Sequence, residues 1–82
     1  MVIIEFDSLF EKKFKRIKNK LFKEKIKKQL LKIRNNPEIG KPMKFTRKGT
    51  REVYIFPYRL SYVYFEEKQT IIILDLYHKD EQ

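Results

Sequence analysis

Apolar positions in the first half of the chain recur at helical spacing, while those in the second half come in near-continuous runs of strand-forming residues. Val2 to Phe6 is rich in β-formers and predicts a short first strand. Ser8-Leu9-Phe10-Glu11 has the form of a capping box, with Ser8 as N-cap and Glu11 reaching back to it. A stripe follows at Phe10, Phe14, Ile17 and Leu21, and its next members would be Glu24, Lys25 or Lys28, so it stops there. A second stripe begins at Phe22 and continues through Ile26, Leu30 and Ile33. The phase slip near Asn19–Phe22 predicts two antiparallel helices joined by a tight turn, with a single bent helix as the alternative. Asn35-Asn36-Pro37 ends the second helix, because Asn tolerates a C-cap conformation and Pro cannot continue the helix. Gly40-Lys41-Pro42 prolongs the loop, Met43 to Phe45 reads as a short strand or an extended connector, and Lys48-Gly49-Thr50 as a turn.

The segments Arg51–Phe56, Tyr58–Phe65 and Thr70–Tyr77 predict three strands, separated by turns at Pro57 and at Glu66-Glu67-Lys68-Gln69. Strand parity puts Val53, Ile55, Leu60, Tyr62, Tyr64, Ile72, Leu74 and Leu76 on one face, apolar enough to receive the helices. The other face would carry Glu52, Tyr54, Arg59, Ser61, Val63, Ile71, Ile73, Asp75 and Tyr77, with polar groups in mid-sheet. The expectation is a single α+β domain over residues 1–82, of order β-α-α-β-β-β. Its helical hairpin packs on one face of a small, mostly antiparallel twisted sheet.

Composition sharpens this picture. Eighty-two residues leave room for one modest core, to which five Tyr and seven Phe contribute large buried areas. Twenty Lys/Arg against eleven Asp/Glu give a formal charge of +9, which points to a polyanion or an acidic protein as partner. Residues 11–34 alone hold twelve Lys/Arg and two Glu, a surplus of +10 around the apolar stripes. That surface is either simply solvated or laid against RNA phosphates, where counterion release would favour binding. Lys41, Lys44, Arg47, Lys48 and Arg51 form a second basic set on the loop entering the sheet, open to the same two readings. The absence of cysteine excludes disulfides and thiolate metal sites, and a lone His78 builds no His-rich zinc site. No metal and no cofactor is expected. Val2-Ile3-Ile4 is too short for a signal peptide and no segment reaches membrane-spanning length, so a cytoplasmic protein without membrane contact is expected.

One stretch is recognisable beyond its physics. Asn36-Pro37-Glu38-Ile39-Gly40, Met43-Lys44, Tyr58-Arg59-Leu60-Ser61-Tyr62, Phe65-Glu66-Glu67-Lys68, the apolar strand Thr70–Leu76 and Tyr77-His78-Lys79 follow one another in order. The series resembles the RelE/ParE toxin superfamily: an N-P-x-x-G-like loop, a basic connector, a Y-R-L-x-Y strand, an acidic turn, an apolar strand and a basic or His-containing end. The first strand and the helix pair match that architecture too, so the resemblance spans nearly the whole chain.

The resemblance implies a type II toxin–antitoxin toxin that cleaves mRNA on the ribosome, contacts rRNA, and is neutralised by an acidic, amphipathic antitoxin wrapped on its surface. The implied reaction is attack of a ribose 2′-OH on the adjacent phosphate, releasing a 5′-OH end. It calls for a proton acceptor, positive charge on the phosphate and an acid for the leaving oxygen. Arg59 matches the family's phosphate-stabilising arginine; as an ordinary sheet residue it would instead be a cross-strand partner of Glu52. Tyr77-His78 matches the start of the Tyr-His-Tyr run of the YoeB-like branch, and a histidine titrates where an acid or base is useful. Where RelE proper has lysines on the preceding strand, this chain has Glu52 and Tyr54. Glu52 with His78 is therefore the alternative acid/base pair, and Lys79 a substitute phosphate contact. Tyr54 and Tyr77 are candidate RNA-contacting aromatics, Tyr54 as a stacking group. The competing expectations are a ParE-like topoisomerase inhibitor without RNA chemistry and a basic RNA-binding module without activity.

Overall fold

In the computed structural model, which describes residues 1–44 and 49–81, the phase slip between the apolar stripes is a true break between two helices. Strand β1 (Ile3–Phe6) leads into α1 (Ser8–Arg16), and α2 (Lys20–Asn35) follows after three non-helical residues. Asp7, not Ser8, caps α1: its carboxylate accepts from the Leu9 N–H at 3.0 Å, and Ser8 is already the first helical residue. Ile17 closes α1 in extended conformation, and Asn19 opens α2 by accepting from the Phe22 N–H at 3.0 Å. Because the helical phase restarts at Asn19, Leu21 does not extend the first stripe. It stands 76% exposed on the first turn of α2, while Ile26 and Ile33 are sealed in the core.

Beyond α2 come β2 (Lys41–Pro42), β3 (Arg51–Ile55), β4 (Tyr58–Phe65) and β5 (Thr70–His78), in a sheet of order β1-β5-β4-β3-β2. Only β1 with β5 is parallel; the other pairings are antiparallel, so the α+β expectation holds. Short 3₁₀ turns occupy Glu66–Lys68, where the β4–β5 connection is completed by Gln69 in left-handed conformation, and Lys79–Glu81. The extended connector expected at Met43–Phe45 begins earlier, as the two residues of β2, and Phe45 lies outside the described residues.

The helices cover one face of the sheet, where Phe10, Ile26, Ile33, Ile55, Leu60, Tyr62, Ile71, Ile73 and Leu76 form the core. Each fully buried Leu or Ile there contributes roughly 1.5–3 kcal/mol. The expected parity of β5 fails in its first half. Ser61 pairs with Asp75 but Tyr62 pairs with Ile73, so Leu74 is an extra residue in a bulge. Past the bulge the faces exchange: Ile71 and Ile73, not Ile72 and Leu74, are buried under the helices. Asp75, expected on the open face, instead bonds the Lys13 ammonium of α1 at 2.7 Å.

The loop leaving α2 is fastened by one phenol. Tyr62 Oη accepts from the Gly40 N–H at 2.9 Å and donates to the Pro37 carbonyl at 2.7 Å. A Cβ at Gly40 would fall 2.6 Å from that oxygen and 2.8 Å from Tyr62 Cε1, so only glycine lets the loop come this close. Burial pushes the Tyr62 phenol above its ordinary pKa, against the Gly40 hydrogen bond and the Arg51 charge, with Glu38 adding to the rise. This fastening delivers Lys41 and Pro42 to the edge of β3.

Candidate active site and nucleic-acid interface

The face of the sheet away from the helices gathers the polar residues of three strands. Antiparallel register sets Tyr54, Arg59 and Tyr77 side by side across β3, β4 and β5, with Glu52 one row away opposite Ser61. The Glu52 side chain is only 4% exposed. Its Oε2 accepts the Tyr77 O–H, and its Oε1 lies 3.6 Å from Arg59 Nη1. A buried carboxylate is tolerable only with such partners, since desolvation otherwise costs several kcal/mol.

Arg59 is the outward part of this cluster. Its side chain is 38% exposed and its guanidinium lies 5.6 Å from the centre of the Tyr54 ring. The Nε atom is buried and makes no hydrogen bond among the described residues, and the partly exposed outer part of the guanidinium is what an anion could reach. Arg59, Tyr54 and Glu52 border a groove of about 570 Å³ whose opposite wall carries Lys41, Met43 and Lys44. Both lysines are exposed. The groove therefore offers three cations and one aromatic ring above a single buried carboxylate, an arrangement that can receive a phosphodiester and stack a base.

Not every expected site residue arrives there. His78 follows Tyr77 directly in β5, and strand alternation sends it to the helix side, where its ring meets Tyr58 edge-on at 5.5 Å. Its Nδ1 accepts from the Asp80 N–H at 3.2 Å. The structure thus does not bring Glu52 and His78 together as a pair. Arg51 is held by the loop: its Nη1 donates to the carbonyls of Glu38 at 3.0 Å and Gly40 at 2.8 Å, which assigns it to fastening that segment. Lys79 sits just beyond β5, its Nζ 5.5 Å from the Phe56 ring. Arg47 and Lys48 lie outside the described residues. Phe56 is the residue that sequence reasoning passed over. It is 68% exposed and meets Tyr54 edge-on at 6.1 Å. Its parity with Tyr54 on the expected strand Arg51–Phe56 was visible, but as that strand's last residue it was assigned to neither face.

A larger groove of about 700 Å³ opens between the α1–α2 turn and the β3–β4 hairpin, rimmed by Lys13, Arg16, Lys18 and Lys25 over Phe22 and Tyr58. Among the described residues its lining holds cations but no carboxylate or imidazole. Among the described residues, no helix is long and apolar enough to cross a membrane.

Comparison with known proteins agrees with this architecture. The chain is similar in structure to the toxin–antitoxin complex RelBE of E. coli, with a TM-score of 0.80 at 19% identity over 95% of this chain and 96% of that one. RelBE2 of Mycobacterium tuberculosis gives 0.81 at 20% identity, covering 95% and 98%. A YoeB/ParE toxin from Agrobacterium tumefaciens gives 0.83 at 13% identity, covering 94% and 98%. At these identities the likeness establishes the fold. No curated protein matches the chain by sequence. The family model described as the ParE toxin of type II toxin–antitoxin systems matches residues 4–82. With that match over almost its whole length, the chain belongs to the ParE toxin family of type II toxin–antitoxin systems, within the RelE/ParE superfamily.

Proposed function

We propose that this toxin is a ribosome-dependent endoribonuclease that cleaves mRNA by attack of a ribose 2′-OH on the adjacent phosphate. The observation that carries the reading is Arg59, a partly exposed guanidinium at the rim of a groove that Lys41 and Lys44 also line. In this scheme Arg59 grips the scissile phosphate and stabilises the charge that builds on its oxygens. Glu52, the one carboxylate among the described residues of the groove, takes the 2′-proton. Lys41 and Lys44 hold flanking phosphates, Tyr54 stacks a base, and Tyr77 positions Glu52 through its hydroxyl. His78, on the other face, takes no step, and no metal or cofactor is invoked. Water protonates the departing 5′-oxygen to give the 5′-OH end, and ribosomal RNA completes the site around it. The +9 charge suits contact with rRNA in the cytoplasm and with an acidic antitoxin. The E. coli and M. tuberculosis relatives are themselves described as toxin–antitoxin complexes, which supports such a partner here.

A specific observation favours a second reading, inhibition of a topoisomerase without RNA chemistry. The matching family model is that of ParE, and Glu52 both holds Tyr77 and lies beside Arg59, which suits a structural cluster as well as a catalytic one. One paired assay separates the two: mRNA threaded on ribosomes and supercoiling by gyrase, each with the purified toxin. Cleaved message with undisturbed gyrase supports the ribonuclease. Intact message with poisoned gyrase overturns it.

A further inference from the structure

Two exposed aromatic rings stand in contact at the end of the β3–β4 hairpin. Tyr54 is 51% and Phe56 68% exposed, and they meet with ring centres 6.1 Å apart and planes 86° apart. Each carries its own cation: the Arg59 guanidinium lies 5.6 Å from the Tyr54 centroid and the Lys79 ammonium 5.5 Å from that of Phe56. Phe56 has no polar atom to place and receives little cover, so its exposure loses apolar burial that a core position would supply. Single exposed apolar residues need no explanation, but two touching rings flanked by two cations beside a basic groove form a composed surface.

The chemistry of that surface selects its ligand. Aromatic faces accept any nucleobase by stacking, and cations beside them accept the phosphates between bases. An aliphatic or acidic protein segment would need neither the rings' perpendicular setting nor their aromaticity. The 86° angle matters, because successive bases of a regular strand lie parallel. Two bases resting on these two rings would have to turn away from each other. A backbone opened in this way also frees a ribose 2′-oxygen to approach its neighbouring phosphate in line, which a stacked helical strand prevents.

We propose that Tyr54 and Phe56 form a stacking platform for single-stranded RNA that splays two successive bases, with the phosphates beside them on Arg59 and Lys79. RNA as the occupant rests on the ribonuclease reading; the platform itself is tested by binding, independently of cleavage.

The experiment uses the full-length toxin and a short fluorescein-labelled RNA, 2′-O-methylated throughout so that it cannot undergo 2′-OH attack, with affinity read by fluorescence anisotropy. Tyr54→Ala and Phe56→Ala each weaken binding about tenfold, as loss of one stacking ring does elsewhere. Tyr54→Phe and Phe56→Tyr keep wild-type affinity, and Phe56→Leu, apolar but not aromatic, does not. Lys79→Ala flattens the dependence of affinity on salt, whereas the ring variants leave that slope unchanged. Upfield shifts of base protons in the NMR spectrum accompany binding to the wild type and to the two ring-preserving variants, and are absent when both rings are removed. Binding that survives loss of both rings, or that Phe56→Leu restores, overturns the platform. So does a double-alanine variant that loses an acidic peptide but keeps RNA. Ring-dependent binding without cleavage on ribosomes would defeat the ribonuclease reading and leave the platform standing. Cleavage with ring-independent binding would do the reverse.

Discussion

On the helix side of the sheet Leu60, Tyr62, Ile71 and Ile73 are sealed beneath α1 and α2, whereas across the same strands Glu52, Ser61 and Tyr77 are buried almost as deeply as polar groups. The first face is held by contact area, which is additive and tolerant of redistribution. The second is held by specific pairings: Tyr77 to Glu52 and Glu52 beside Arg59. Buried ionic clusters of that kind commonly contribute no more stability than apolar residues of the same size. Here the cluster supports a partly exposed guanidinium at the rim of a basic groove. The apolar core and the proposed site are therefore separated by the thickness of one sheet.

The largest stability effect belongs to the helix side. Leu60→Ala should cost about 2–5 kcal/mol, read as a lower urea midpoint, because the residue is fully buried and the helices cannot collapse onto the gap. A smaller loss, about 1–3 kcal/mol, is expected for Tyr62→Phe, which strands the Gly40 N–H and the Pro37 carbonyl. That variant also tests a pH effect. The Tyr62 pKa is raised in the folded state, so its stabilisation is complete below the ordinary tyrosine value near 10 and is lost as pH rises through the folded value. Denaturation midpoints followed upward from pH 9 should fall more steeply for the wild type than for Tyr62→Phe. Least affected in stability should be Glu52→Gln, which keeps an acceptor for Tyr77 and removes a buried charge. Its midpoint stays within about 1 kcal/mol of wild type, while RNA cleavage drops sharply. A variant that unfolded as readily as Leu60→Ala would erase the distinction between the faces.

Much of this division was legible in the residues. The restart of the apolar phase at Phe22 marks the helix break, because an extended Ile17 cannot pass helical register onward. The alternation Glu52, Tyr54 against Arg59, Ser61 put the polar cluster on one face before any pairing was known. What escaped depends on non-local geometry. The run Ile71-Ile72-Ile73-Leu74 is apolar on both parities, so it gives no sign of the bulge that exchanges its faces. Tyr77-His78 reads as one motif, yet neighbours in a strand point opposite ways, and only Tyr77 reaches Arg59's side. Arg51 looked like its basic neighbours because no local pattern reveals two carbonyls waiting for it in a distant loop. Asp7 and Ser8 are both good caps, and the choice follows from where β1 releases the chain.

The account turns on Arg59 serving chemistry beyond its part in holding Glu52, and one variant measured twice tests it. Arg59→Ala should lose at least about a hundredfold in the rate of message cleavage on ribosomes, in line with removal of a principal charge-stabilising donor. Its urea midpoint should fall by about 1–3 kcal/mol, because the buried Glu52 carboxylate then keeps the Tyr77 hydroxyl but loses its neighbouring charge. Unchanged cleavage in a protein destabilised by several kcal/mol would contradict the account and make Arg59 a structural partner of Glu52.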